Sequence, residues 1–185
     1  MRSRKLNKFE DFVRRIVNSF NETRIDYMFT GALAASYYGT PRTTIDVDVI
    51  VRVSEKEPTS LVAALRKAGM EANERRIREV LKSGYKILTF KDKKSPFTLD
   101  IMLSDEKLRK RGGTILGLST FYQVPEELIL AKLRMIKATV PSERAQKDKD
   151  DVKAILRESR VNVDALKKRA RKENTVKILE ELEED

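Results

Sequence analysis

The chain has 185 residues, with 39 Lys and Arg against 29 Asp and Glu, a net charge of +10, and neither Cys nor His. Those absences exclude disulfides, thiolate metal sites and thiol catalysis, and remove the commonest general base, so any metal must be held by oxygen, which favours Mg²⁺ or Mn²⁺. The length suits one compact domain, with or without a helical appendage, and with no apolar run long enough to cross a membrane and no signal peptide a soluble, cytoplasmic protein is expected.

In chain order, residues 5–20 place Phe9, Phe12, Val13, Ile16, Val17 and Phe20 at helical spacing among charges, which predicts an amphipathic helix laid on a core. Tyr27-Met28-Phe29-Thr30 is a short apolar strand running into Gly31, and the small residues of 31–38 predict a helix after it. A strand, a glycine turn and a helix N-terminus in succession aim backbone N–H groups at an anion. Gly39-Thr40-Pro41-Arg42 breaks that helix and leads into Thr44-Ile45-Asp46-Val47-Asp48-Val49-Ile50-Val51, a β-branched strand. Further helices are expected over Leu61–Gly69 and Glu74–Leu81, and strands over Tyr85–Phe90 and Phe97–Leu103 form a hairpin. Residues 104–113 form a charged, exposed, mobile connector, followed by short strands at 114–116 and 118–123. Pro125 opens a helix with Glu126 and Glu127 complementing its dipole, and Pro141 closes it. A helix over Lys147–Leu156 follows, with Asp148 and Asp151 pairing with Lys147 and Lys153 along its face. A single long helix is expected from Val163 to Leu182, basic first and acidic later, an order that opposes its dipole.

Asp46 and Asp48 are the residues that demand an explanation. Side chains at i and i+2 of a strand share a face roughly 6.5 to 7 Å apart, and two like charges there repel unless a divalent ion or a basic group bridges them. Asp100 is a third carboxylate among apolar strand residues. With the glycine turn at Gly31, this set suits two metal ions clamping the attacking and leaving oxygens of a phosphoryl or nucleotidyl transfer.

Gly31-Ala32, thirteen residues, then Asp46-Val47-Asp48 resembles the signature of the nucleotidyltransferase superfamily of polymerase β-like fold. More narrowly, Gly31-Ala32-Leu33-Ala34 with Gly39-Thr40-Pro41-Arg42-Thr43-Thr44-Ile45-Asp46-Val47-Asp48 is similar to the small prokaryotic nucleotidyltransferases that include abortive-infection toxins. Val124–Lys132 and Arg144–Asp151 resemble that group's C-terminal helices, so the likeness spans residues 27 to about 157. It implies an α/β (α+β) core, a short mixed sheet with flanking helices over 1–123, and a helical segment over 124–185. It implies Mg²⁺-dependent (or Mn²⁺-dependent) transfer of a nucleoside monophosphate from a triphosphate such as ATP to a hydroxyl, releasing pyrophosphate. Asp46 and Asp48 match the family's metal-binding pair, and Asp100 its third carboxylate, which would align or deprotonate the acceptor hydroxyl. Gly31 and Ala32 match the turn that cradles triphosphate oxygens, although Ala32 stands where Gly or Ser is usual and has no hydroxyl to offer a phosphate. Arg42 and Lys132 are expected to contact phosphate or base.

The acceptor is left as RNA, protein or a small molecule. The net charge of +10 and the stretch Lys167-Lys168-Arg169-Ala170-Arg171-Lys172 tilt the expectation toward RNA. The composition, 37% charged without Cys or Trp, also suits a thermophile's surface. Two alternatives stand beside the enzyme: a non-catalytic nucleotide- or RNA-binding module, and the toxin or antitoxin half of a two-gene system with a partner protein.

Overall fold

A computed structural model describes residues 7–54, 58–139 and 143–184. Within them lie eight helices and a six-stranded mixed sheet, the α/β architecture expected. The elements are α1 (Lys8–Glu22), β1 (Asp26–Phe29), α2 (Gly31–Tyr38), β2 (Asp46–Arg52), α3 (Thr59–Lys67), α4 (Glu74–Lys82), β3 (Ile87–Lys91), β4 (Thr98–Ser104), β5 (Lys110–Ile115), β6 (Leu118–Gln123), α5 (Pro125–Ala138), α6 (Glu143–Glu158), α7 (Val163–Lys172) and α8 (Val176–Glu184). The sheet order is β3-β4-β2-β1-β6-β5. The expected hairpin is present as the antiparallel pair β3 and β4, whereas β2 lies parallel to β4 and β1 parallel to β6.

The chain divides into two compact units, and not by a single cut near residue 123. The first runs to Thr30 and resumes over Thr44–Tyr122; the second gathers Gly31–Thr43 and the chain from Gln123 onward. The segment that carries Gly31, Ala32 and Arg42 therefore belongs with the C-terminal helices.

In the first unit, strand alternation sorts the side chains. Val47, Val49 and Val51 of β2 and Leu99 and Ile101 of β4 are fully buried, while Asp46, Asp48 and Asp100 on the other face are only half-buried. α1 buries Phe12, Val13, Ile16, Val17 and Phe20, its Asn7 side chain caps the Phe9 N–H, and Phe20 meets Tyr27 edge-on at 5.1 Å. From the same helix, Arg15 donates to Asp92 Oδ2 (2.9 Å) and to the Ala68 carbonyl (2.7 Å). The 104–113 connector is shorter than expected, because Lys110–Ile115 already forms β5, and the turn Leu116-Gly117 into β6 has positive φ at both residues.

In the second unit, α5 begins with Pro125 in its first turn as expected, while the Pro141 stop lies outside the described residues. α5 packs on α6, and α2 rests on both. The single helix expected over 163–182 is instead two, broken at Glu173 to Thr175 with Asn174 at φ 56°. The break removes the dipole conflict in its first half, since Arg169, Arg171 and Lys172 now occupy the last turn of α7, where cations are favoured.

Candidate functional site

The parallel pairing of β2 and β4 decides where the carboxylates go. Its register sets Asp46 beside Thr98 and Asp48 beside Asp100, and register partners on neighbouring strands project from the same face. All three carboxylates that the sequence singled out therefore share one face of the sheet, Asp48 and Asp100 about 4.8 Å apart at the backbone and Asp46 one step along.

Two threonines hold this row. Thr98 Oγ1 donates to Asp46 Oδ1 (2.5 Å), and Thr89 Oγ1, on β3 opposite Asp100, donates to Asp100 Oδ1 (2.6 Å). At the entry to β2, the Thr44 hydroxyl accepts the Asp46 N–H (3.2 Å) and donates to the Asp46 carbonyl (3.0 Å). Sequence reasoning missed Thr89 and Thr98. Thr98 was legible as the residue two before Asp100 on the same face, but Thr89 required the hairpin register. With the side chains turned this way, no three carboxylates among the described residues stand as a metal-ligand cluster. The donor chemistry nonetheless fits a hard divalent ion: three oxygen anions on one face, with hydroxyls at hand and no sulfur or imidazole to favour a softer metal. To ligate together, Asp46 and Asp100 would exchange their threonine partners for the ion.

The remaining predicted residues lie in the second unit. Gly31 starts α2 at φ 57°, a conformation that glycine enters without steric cost, and Ala32 behind it is 6% exposed. Arg42 and Lys132 both meet carboxylates of α6. Arg42 grips Asp151 of α6 with both ends of its fork, Nε to Oδ1 and Nη2 to Oδ2 at 3.0 Å each. Lys132 of α5 is 5% exposed and its ammonium lies 2.9 Å from Asp148 Oδ1 and 2.7 Å from Asp151 Oδ2. Both cations are neutralised by aspartates of α6, because burial of Lys132 leaves its charge no other counterpart than a protein anion. Asp148 and Asp151, expected to pair with Lys147 and Lys153 along their own helix, reach across to Lys132 of α5 and, for Asp151, to Arg42. Two of the five basic residues in the α7 stretch are matched by carboxylates as well: Lys167 pairs with Glu183, and Arg169 holds Glu127 through two hydrogen bonds of 2.6 and 2.8 Å.

No family model matches the sequence, and no curated protein matches it. Similar folds are found among solved structures. The solution structure of the antibiotic-resistance factor ANT(2″)-Ia is similar at a TM-score of 0.65 and 12% identity, over 95% of this chain and 97% of that one. An antigenic nucleotidyltransferase-like protein from Paracoccidioides brasiliensis is similar at 0.58 and 16%, over 82% and 78%. The lincosamide antibiotic adenylyltransferase LnuA, bound to lincomycin, is similar at 0.52 and 12%, over 79% and 97%. At the level of the backbone, the mixed sheet with its flanking helices is the fold of these proteins, a nucleotidyltransferase-like fold.

Proposed function

We propose that this chain is a nucleotidyltransferase that moves a nucleoside monophosphate from a nucleoside triphosphate to an acceptor hydroxyl. The observation that carries this reading is the register that sets Asp48 beside Asp100, with Asp46 on the same face. In the proposed reaction the acceptor oxygen bonds to the α-phosphorus, the bond from that phosphorus to the bridging oxygen breaks, and pyrophosphate leaves with the electron pair. Asp100 aligns the hydroxyl and accepts its proton. Asp46 and Asp48 would hold a divalent ion, which when bound neutralises charge on the phosphoryl oxygens. The Thr98 hydroxyl keeps Asp46 oriented before that ion arrives. Gly31 and Ala32 begin α2, and their backbone N–H groups suit a phosphate group, Ala32 through its backbone alone.

The acceptor we favour is a hydroxylated small molecule, with ATP the first donor to test. Two of the similar folds are described with antibiotic ligands, ANT(2″)-Ia in complex with adenylyl-2″-tobramycin and the lincosamide antibiotic adenylyltransferase LnuA bound to lincomycin. An RNA acceptor is the second reading, supported by the net charge of +10, and the internal pairing of Lys167 and Arg169 weakens it. Incubation with each α-labelled triphosphate, Mg²⁺ or Mn²⁺, and either a panel of hydroxylated small molecules or total RNA should label one acceptor class. Asp46→Ala or Asp48→Ala should abolish that label, and label that survives either change would sink the proposal. If labelling is absent but calorimetry detects triphosphate binding independent of Mg²⁺, a non-catalytic binding module replaces the enzyme.

A further inference from the structure

Four charged side chains of the second unit are drawn together: Arg42, Lys132, Asp148 and Asp151. The side chains of Lys132 and Asp151 are 7% and 6% exposed, and that of Asp148 15%. Ion pairs this deep gain little stability over an apolar cluster of the same volume, and their better-supported use is to fix one geometry. What they fix here is visible in the chain. Arg42 lies just beyond α2, and its two-pronged bond to Asp151 sets both the distance and the plane of its attachment to α6.

Two further contacts tie the same short segment to the same helix. The Ser159 hydroxyl, immediately after α6, donates to the Tyr38 carbonyl (2.6 Å) at the end of α2. A Cβ on Gly39 would stand 2.9 Å from Ala154 Cβ and 3.1 Å from the backbone at Ala154 and Ile155, so the chain runs against α6 more closely than any other residue permits. Within the segment, the Arg42 N–H is accepted by the Ser36 hydroxyl of α2 (3.2 Å).

We infer that Arg42, Lys132, Asp148 and Asp151 are positioning residues: a charge clamp that seats α2 on α5 and α6 and thereby sets the aim of the Gly31-Ala32 turn at the triphosphate. This rests on the reading of that turn as the phosphate-binding element. It reassigns Arg42 and Lys132 from contacting phosphate to orienting the backbone that does. Lys132 is the hub, since it bridges both aspartates, and Asp151 is the member shared by both cations.

The test compares Asp151→Asn and Arg42→Lys with Glu127→Gln. Glu127→Gln weakens an equally two-pronged Arg–carboxylate pair of the same unit, one that joins α5 to α7. Arg42→Lys keeps the charge but loses the fork, and because the Arg42 side chain is a third exposed it guards against a misfolded Asp151→Asn. Triphosphate affinity and the split between KM and kcat are measured, together with hydrogen exchange of the α2 amides. Asp151→Asn and Arg42→Lys should raise the triphosphate Kd and KM by about tenfold, leave kcat within about threefold, and speed α2 exchange, while Glu127→Gln does none of these. Unchanged α2 exchange in both clamp variants overturns the clamp. Faster α2 exchange with triphosphate Kd within about twofold of wild type overturns the positioning role. Wild-type protein that binds no triphosphate overturns the phosphate-turn reading and the positioning role with it, while the exchange data still decide whether the clamp seats α2.

Discussion

Asp100→Asn separates the electrostatic cost of the carboxylate row from its use. Asp48 and Asp100 are register partners, and side chains so placed on neighbouring strands lie up to about 5.5 Å apart. Two unit charges at that separation repel by about 3 kcal/mol at an effective dielectric of 20 and by about 0.8 kcal/mol in water. Both residues are half-buried, so the net repulsion in the metal-free protein is about 1 kcal/mol, near the solvent-screened end. Asn keeps an acceptor oxygen for the 2.6 Å bond from Thr89, so the charge is removed without orphaning the hydroxyl. In EDTA the variant should therefore melt about 2–4 °C above wild type. Added Mg²⁺ at about ten times its Kd should raise wild-type stability by about 1.4 kcal/mol, and the variant, short of one anionic ligand, by less. Thermal unfolding followed by circular dichroism in EDTA and in Mg²⁺ reads both effects. A variant that melts below wild type in EDTA would refute the repulsion, and equal Mg²⁺ shifts in the two proteins would refute the shared site.

Two further expectations test the frame that holds the row. Burial pushes the Asp92 carboxyl up, but the Ser95 hydroxyl and the Arg15 guanidinium outweigh it and hold its pKa below the ordinary value. A depressed carboxyl stabilises the fold above its unfolded pKa of about 3.9 and loses that contribution as pH falls through the lower folded value. Asp92→Asn should thus cost about 1–3 kcal/mol at pH 7, since Arg15 keeps its bonds to Asp11 and Ala68, and the gap to wild type in urea midpoints should close below about pH 4; a gap that persists in acid contradicts this. Leu116 occupies φ 52° in the β5 to β6 turn, where a branched side chain costs about 1–2 kcal/mol and Asn is tolerated. Leu116→Asn should raise the melting temperature by about 2 °C, allowing for the half-buried leucine surface given up, and a lower melting temperature would show that contact to outweigh the turn strain.

What lay within reach of the sequence was whatever depends on neighbours a few residues away. Period-two alternation in Asp46–Arg52 placed two aspartates on one face and three valines on the other, and the structure has them so. The hairpin of β3 and β4, the Pro125 start of α5 and the aromatic stripe of α1 follow from the same local rules. The break in 163–182 was written locally too, in Asn174 and in a basic-then-acidic order that no single helix dipole welcomes, but continuous helical periodicity on both sides concealed it.

Tertiary structure alone decided the rest, because the pairings involved join residues far apart in the chain. Nothing near Asp48 specifies that Asp100, 52 positions on, will be its neighbour on a parallel strand, and that pairing is what gathers the carboxylate row. Nothing near Lys132 or Arg42 announces that both will be claimed by Asp151; a long cation is legible as a charge, but whether it meets phosphate or a buried carboxylate depends on which helix packs beside it. The sequence by itself determined which residues carry charge toward which face, since that needs only the periodicity of strand and helix. Which charges face one another was settled by packing, because buried ions must find partners and only the assembled fold supplies them.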